Sequence, residues 1–276
     1  MKRIFTSQVY IIIIFVFCSF LSEAFEQTQA VSIPNTSSGN VYKALVVCPD
    51  TYKKSDIKFP VIFLLHGYGG NYYTFSRIAD LEKYANTYGV ILVCPDGNYN
   101  SWYINSPVRK NSQFRSYIIN DVIPYIDDHF RTLARTESRA IIGTSMGGHG
   151  SLTLLIQHPS LFCGAGSISG ILDLTKFPKQ WDLERVLGKY SSHKNNWEKN
   201  SFVYLIETLQ NKDKYILIDC GKGDFALSVN RDAHQKMVAL GIDHEYFERE
   251  GKHNFIYVKK VLGHHIAFFS QVMDKK

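Results

Sequence analysis

Arg139-Ala140-Ile141-Ile142-Gly143-Thr144-Ser145-Met146-Gly147-Gly148-His149-Gly150 reads as a strand, a sharp turn and a helix. The apolar run stops at Gly143, Ser145 comes just after it, and an apolar helical pattern begins at Leu152. Gly143 to Gly147 fits G-x-S-x-G, the nucleophile elbow. In that turn small flanking residues let the backbone hold a serine in a strained conformation at the end of a strand. The serine oxygen must reach a carbonyl carbon unobstructed. The amide of Met146 must face the oxygen that becomes negative as a tetrahedral adduct forms, and the helix start adds its partial positive charge there.

A serine alone is a weak nucleophile and needs a base, and the base needs an acid to orient it. With an elbow of this kind the chain order is serine, acid, histidine. Seven histidines follow His149: His158, His193, His234, His244, His253, His264 and His265. His253 falls in the polar loop Arg249-Glu250-Gly251-Lys252-His253-Asn254, between the last strand and the last helix, where a base facing the serine belongs. His264 and His265 sit within the final helical pattern, His234 and His244 on a helix and at a strand start, and His149 on the flank of the elbow helix, a structural position. The acid should follow the strand Tyr215 to Asp219. Asp224 is favoured because Gly221-Lys222-Gly223 frees the backbone to turn a carboxylate; Asp219 and Asp232 stand in reserve. The second oxyanion amide belongs to Leu65-His66-Gly67-Tyr68-Gly69-Gly70, with Tyr68 the best placed and His66 a structural hydrogen-bonding residue.

Lys2 and Arg3, an apolar run from Tyr10 to Leu21 and Ser22-Glu23-Ala24 have the form of a cleaved secretory signal over residues 1–24. The run is too short to span a bilayer, and Phe17 before Cys18 speaks against lipid attachment. The expectation is an exported protein, secreted or periplasmic, with no stable membrane anchor after cleavage. Cleavage leaves 252 of the 276 residues, the size of one large domain, and a net charge of +5 in place of +6. The basic residues form no block interleaved with aromatics, so nucleic acid is not an expected partner. Cys48, Cys94, Cys163 and Cys220 lie in or beside apolar runs and contain no C-x-x-C pair; they read as small core residues, and no disulfide or metal is assigned.

Residues 25–40 are polar and read as a flexible lead-in. Strands are expected at Val41 to Val47, Val61 to Leu65, Val90 to Val93, Ala140 to Ile142, about Phe162 to Ser167, Tyr215 to Asp219 and about Glu245 to Glu248. Helical patterns fall at Asn71 to Tyr88, at Phe114 to Ile126 with a kink near Pro124, after the elbow, at about Leu227 to Leu240, and at about Phe255 to Val272. This alternation indicates an α/β fold, a mostly parallel sheet with helices on both faces, in one domain over 41–276. An insertion at about 171–210, rich in charges and carrying Phe177, Trp181, Trp197 and Tyr204, either folds over the active-site edge or is a surface excursion.

The chain resembles the esterase D family of α/β-hydrolases, a group of S-formylglutathione hydrolases, tributyrin-type, feruloyl and acetylxylan esterases, and mycolyltransferases. The matching segments are Leu64 to Gly70, Cys94-Pro95-Asp96-Gly97 with Ser101-Trp102-Tyr103, Ile123 to Asp127, Gly143 to Gly150, Asp219-Cys220-Gly221 with Asp224, and Gly251-Lys252-His253. The resemblance implies an α/β-hydrolase fold, catalytic Ser145, Asp224 and His253, and oxyanion amides at Tyr68 and Met146. It also places Trp102 and Tyr103 beside the acyl or alcohol pocket. Lys252 stands where a small residue is commoner, a change on the leaving-group side.

These readings converge on an exported serine esterase needing no metal or organic cofactor. Its expected substrate is a small-molecule or polysaccharide-linked ester, either short-chain acyl or carbohydrate acetyl and feruloyl. Acyl transfer, S-formylglutathione-type thioester hydrolysis and a non-catalytic binding module are the alternatives.

Overall fold

The computed structural model describes residues 26–209 and 213–273; the expected signal segment, residues 1–24, lies outside them. Strands β1 (Thr28–Pro34), β2 (Val41–Val47), β3 (Val61–Leu65), β4 (Ile91–Pro95), β5 (Arg139–Thr144), β6 (Gly164–Ile168), β7 (Tyr215–Gly221) and β8 (Glu245–Arg249) form one sheet in the order β1-β2-β4-β3-β5-β6-β7-β8. The β1–β2 and β2–β4 pairs are antiparallel, and every pair from β4 to β8 is parallel. Helices α1 (Thr74–Ile78), α2 (Leu81–Tyr88), α3 (Phe114–Ser116), α4 (Ile123–His129), α5 (Met146–Gln157), α6 (Leu183–Leu187), α7 (Tyr190–Glu198), α8 (Phe202–Leu205), α9 (Leu227–Ala239) and α10 (Phe255–Val272) cover both faces.

Alternation along each strand divides the core in two. Val61, Phe63 and Leu65 of β3 pack toward α5 and α9 with Leu152, Leu155 and Met237. Ile62 and Leu64 face the other way, onto α1, α2 and α10 with Phe75, Ala85 and Leu262. The four cysteines of the described residues are buried and unpaired, and burial pushes the thiols of Cys48 and Cys163 up to about 12. Among the described residues no helix is long and apolar enough to cross a membrane.

Three expectations are corrected. Residues 28–34, assigned to a flexible lead-in, are the edge strand β1, with Ala30 opposite Leu45 and Ile33 buried. An edge strand wets one face, so its composition stays polar. The helix expected from Asn71 to Tyr88 is two helices: Ala79 is extended, and the Asp80 carboxylate accepts from the Lys83 amide to cap α2. The irregularity expected near Pro124 lies just before it, as a wide π turn over Tyr117–Val122. Of the two readings left open for the insertion, the surface excursion is excluded. Leu183, Val186, Leu187, Trp197 and Phe202 of the insertion belong to the main core.

Candidate active site

The elbow is dictated by contact distances between backbones. A Cβ on Gly143 would sit 2.0 Å from the Gly147 carbonyl oxygen, and one on Gly147 would sit 2.0 Å from the Leu65 carbonyl oxygen. The start of α5 therefore crosses the ends of β3 and β5 where only glycine fits. Ser145 has φ 55° and ψ −114°, a conformation costing on the order of 1–3 kcal/mol. Its amide donates to the Ile168 carbonyl at 2.9 Å, and its carbonyl accepts from the His149 amide at 3.0 Å, which hold the strained residue.

The structure brings the three chosen side chains together. His253 Nε2 lies 2.9 Å from Ser145 Oγ, and His253 Nδ1 lies 2.9 and 3.0 Å from the two Asp224 oxygens. A carboxylate facing Nδ1 fixes the proton there and leaves the Nε2 lone pair toward the serine. Asp224 follows β7, and His253 precedes Asn254, whose side chain accepts from the Tyr257 amide to cap α10. Burial works to raise the Asp224 carboxyl. Hydrogen bonds from His253 and the Ala226 amide, with the attraction of His253, outweigh it and hold the group below its ordinary value.

The loop expected to carry the second oxyanion amide is a β-turn from Gly67 to Gly70, closed by the Gly70 amide on the Gly67 carbonyl at 3.0 Å, with Gly69 at φ 75°. That turn uses no hydrogen bond from the Tyr68 amide. Tyr68 and Ser145 line one cleft of about 420 Å³, and Met146 is the first residue of α5. His66 pins the turn: Nδ1 donates to the Gly67 carbonyl at 2.8 Å and Nε2 accepts from the Gly97 amide at 2.8 Å. Both nitrogens are occupied, so it is no second base.

Aromatic rings wall the cleft. Trp181, from the insertion, stacks on Phe225 with centroids 5.6 Å apart, and Phe225 packs against the His253 ring at 4.3 Å. Trp102 and Tyr103, implied to border the pocket, do not line it. Both are fully buried behind it, where Trp102 Nε1 donates to the Trp181 carbonyl at 3.2 Å. Their left-handed backbones, φ 58° and 55°, turn the rings into the core. Phe225 went unread in the sequence, although an aromatic residue directly after the acid in a glycine-rich loop was its signal.

The remaining candidates are engaged elsewhere. Asp219 is buried, accepts from Arg249 Nε at 2.7 Å and from the Tyr257 hydroxyl, and does not reach His253. Asp232 lies on the exposed side of α9. His149 is buried and its Nε2 donates to the Asn200 carbonyl at 2.6 Å, tying the elbow helix to the insertion. His234 and His244 pair with each other at 2.7 Å. Among the described residues no cluster of three metal-ligating side chains is present.

Residues 36–268 match the Esterase family. The chain belongs to the Esterase family. This esterase is 27% identical over 241 residues to an acetyl esterase of Caldicellulosiruptor saccharolyticus, covering 82% of this chain and 90% of that protein. Among solved structures it is similar to FphF, fluorophosphonate-binding serine hydrolase F of Staphylococcus aureus, with a TM-score of 0.80 at 22% identity over 88% of this chain and 98% of that one. A ferulic acid esterase gives a TM-score of 0.77 at 20% identity, over 90% and 99% of the two chains. The fold is that of the α/β-hydrolases, and the esterase is a serine hydrolase of carboxylic esters.

Proposed function

We propose that this esterase is exported and removes short acyl groups, acetyl foremost, from the hydroxyls of small or polysaccharide-linked carbohydrates. The observation that carries the catalytic reading is the unbroken relay of Asp224, His253 and Ser145 at the wall of an open cleft. Ser145 Oγ attacks the ester carbon while His253 Nε2 takes its proton, and the amides of Tyr68 and Met146 receive the charge that develops on the carbonyl oxygen. His253 then protonates the departing alcohol. Water, deprotonated by the same nitrogen, attacks the acyl-enzyme and releases the acid. Asp224 keeps the proton on Nδ1 throughout. Each step is balanced by these groups and water alone.

The acetyl preference is supported by the acetyl esterase relative. The carbohydrate side is supported by the aromatic wall of Trp181 and Phe225, because apolar sugar faces stack on such rings. Export is supported by the composition of residues 1–24. A feruloyl ester is the second reading, because its flat ring would fit the same wall. Purified mature protein and its Ser145→Ala variant would be assayed on p-nitrophenyl acetate, acetylated xylo-oligosaccharide, methyl ferulate and S-formylglutathione, and cell fractions would be probed for the chain. Ser145-dependent release of acetate from the sugar, with the chain outside the cytoplasm, is expected. Preference for methyl ferulate or the thioester would replace the substrate assignment.

A further inference from the structure

Asp182 occupies the position before α6 where an aspartate ordinarily caps a helix, yet it caps nothing there. Instead one carboxylate oxygen accepts from the Tyr68 hydroxyl at 2.9 Å and from the Asn100 side-chain amide at 3.1 Å. The other oxygen lies 4.0 Å from Arg185, too far for a hydrogen bond. Trp181 and Asp182 are consecutive left-handed residues, φ 49° and 56°, an arrangement that persists only where surrounding contacts over-determine it. Those contacts are the Trp102 bond to the Trp181 carbonyl, the stack of Trp181 on Phe225, and the Tyr68 and Asn100 bonds to Asp182.

We propose that Asp182 is a positioning residue that couples the substrate wall to the oxyanion hole by holding the side chain of Tyr68, the residue whose amide receives the oxyanion. This rests on the reading of Tyr68 given above. The Tyr68 ring also packs edge-on to Tyr99 at 4.8 Å, and the Gly69 amide donates to the Tyr99 carbonyl at 2.8 Å. The turn is thus fixed at Gly67 and Gly69 by hydrogen bonds to backbone, while the Tyr68 side chain is held by Tyr99 and, at its hydroxyl, by Asp182 of the insertion. The Tyr68 amide shares a peptide plane with the Gly67 carbonyl, which the Gly70 amide and His66 Nδ1 hold; releasing the Asp182 contact lets the Tyr68 Cα shift and tilts that plane while the chain trace stays in place. The amide then serves the ground state as before and the transition state less well, a deficit that appears in kcat.

The test compares Asp182→Ala, Asp182→Asn, Tyr68→Phe and the Tyr68→Phe/Asp182→Ala double variant on p-nitrophenyl acetate, beside Ser145→Ala, with circular dichroism as the check on folding. Asp182→Ala and Tyr68→Phe should each lower kcat by roughly 10- to 100-fold, less than outright removal of an oxyanion donor, with KM within about 3-fold. The double variant should fall no further than Asp182→Ala, because the Tyr68 change breaks a contact that Asp182→Ala has already removed. Asp182→Asn keeps an oxygen acceptor for the phenol and should stay within about 5-fold of the parent. Independent, multiplying losses, or losses confined to KM, would overturn the proposal while leaving the Ser145 mechanism standing. Turnover that survives Ser145→Ala would overturn the underlying reading of the site, and this proposal with it.

Discussion

The elbow and the insertion meet at the same cleft but are held by different forces. At the elbow, backbone passes within hydrogen-bond reach of backbone, and Gly143 and Gly147 are the only side chains the geometry permits. The insertion, over residues 171–209, consists of short helical pieces that bury Leu183, Val186, Trp197 and Phe202 in the core and are positioned on the body by separate polar contacts: His149 to the Asn200 carbonyl, Trp102 to the Trp181 carbonyl, Ser106 to the Val186 carbonyl and Tyr68 to Asp182. Steric exclusion leaves a fixed residue pattern. A lone donor facing a carbonyl can be supplied by many residue types from many positions and leaves none.

The comparison breaks most sharply at the proposed catalytic residues. Ser145→Ala should lower kcat/KM on p-nitrophenyl acetate by at least about 10⁴-fold, and Asp224→Asn by a similar factor, because an amide partner lets His253 carry its proton on the wrong nitrogen. Near-parental turnover in either variant would remove the relay from the mechanism. Gly147→Ala comes next. A methyl group 2.0 Å from the Leu65 oxygen cannot be absorbed by a flexible side chain, so urea melts should show at least about 3 kcal/mol lost, or no soluble protein. A loss below about 1 kcal/mol would mean that the elbow is no more rigid than the insertion.

His149 belongs to both regions and sharpens the comparison through pH. Burial lowers its pKa to about 4, and burial lowers that of His265, in α10, to about 3. In the unfolded chain both titrate near their ordinary value, about 6.5. As pH falls below about 6.5 the unfolded state therefore takes up protons that the folded state refuses. Stability is full above that pH and declines as pH drops toward 4. His149→Gln keeps a donor for the Asn200 carbonyl and removes the titration. Its thermal midpoint should fall less than the parent's between pH 7 and 4.5, and parallel curves would count against this assignment. The smallest effect is expected at Lys252, exposed beside the relay. Lys252→Gly should change turnover on p-nitrophenyl acetate by less than about 3-fold, since the Lys side chain does not line the cleft.

Much of the sheet could be read directly from the sequence, because strands buried on both faces are continuous apolar runs: Val61 to Leu65 and Tyr215 onward stand where expected. β1 could not, since only Ile33 of its seven residues is fully buried. The break at Ala79 was hidden because α1 and α2 present one apolar stripe on either side of it. Asp224 prevailed over Asp219 on the glycines before it, and the structure shows Asp219 bonded to Arg249 and Tyr257. The misplaced pair was Trp102 and Tyr103, because a motif locates residues along the chain and φ decides which way their rings turn.

The sequence by itself determined the elbow, the order of Ser145, Asp224 and His253 along the chain, and the parallel core, because each is enforced by local sterics or by burial that recurs at short intervals. Only the tertiary structure decided what surrounds Ser145. The aromatic wall, the anchor at Asn200 and the grip of Asp182 on Tyr68 join residues far apart in the chain, and such contacts exist only once the sheet has set the distances between their loops.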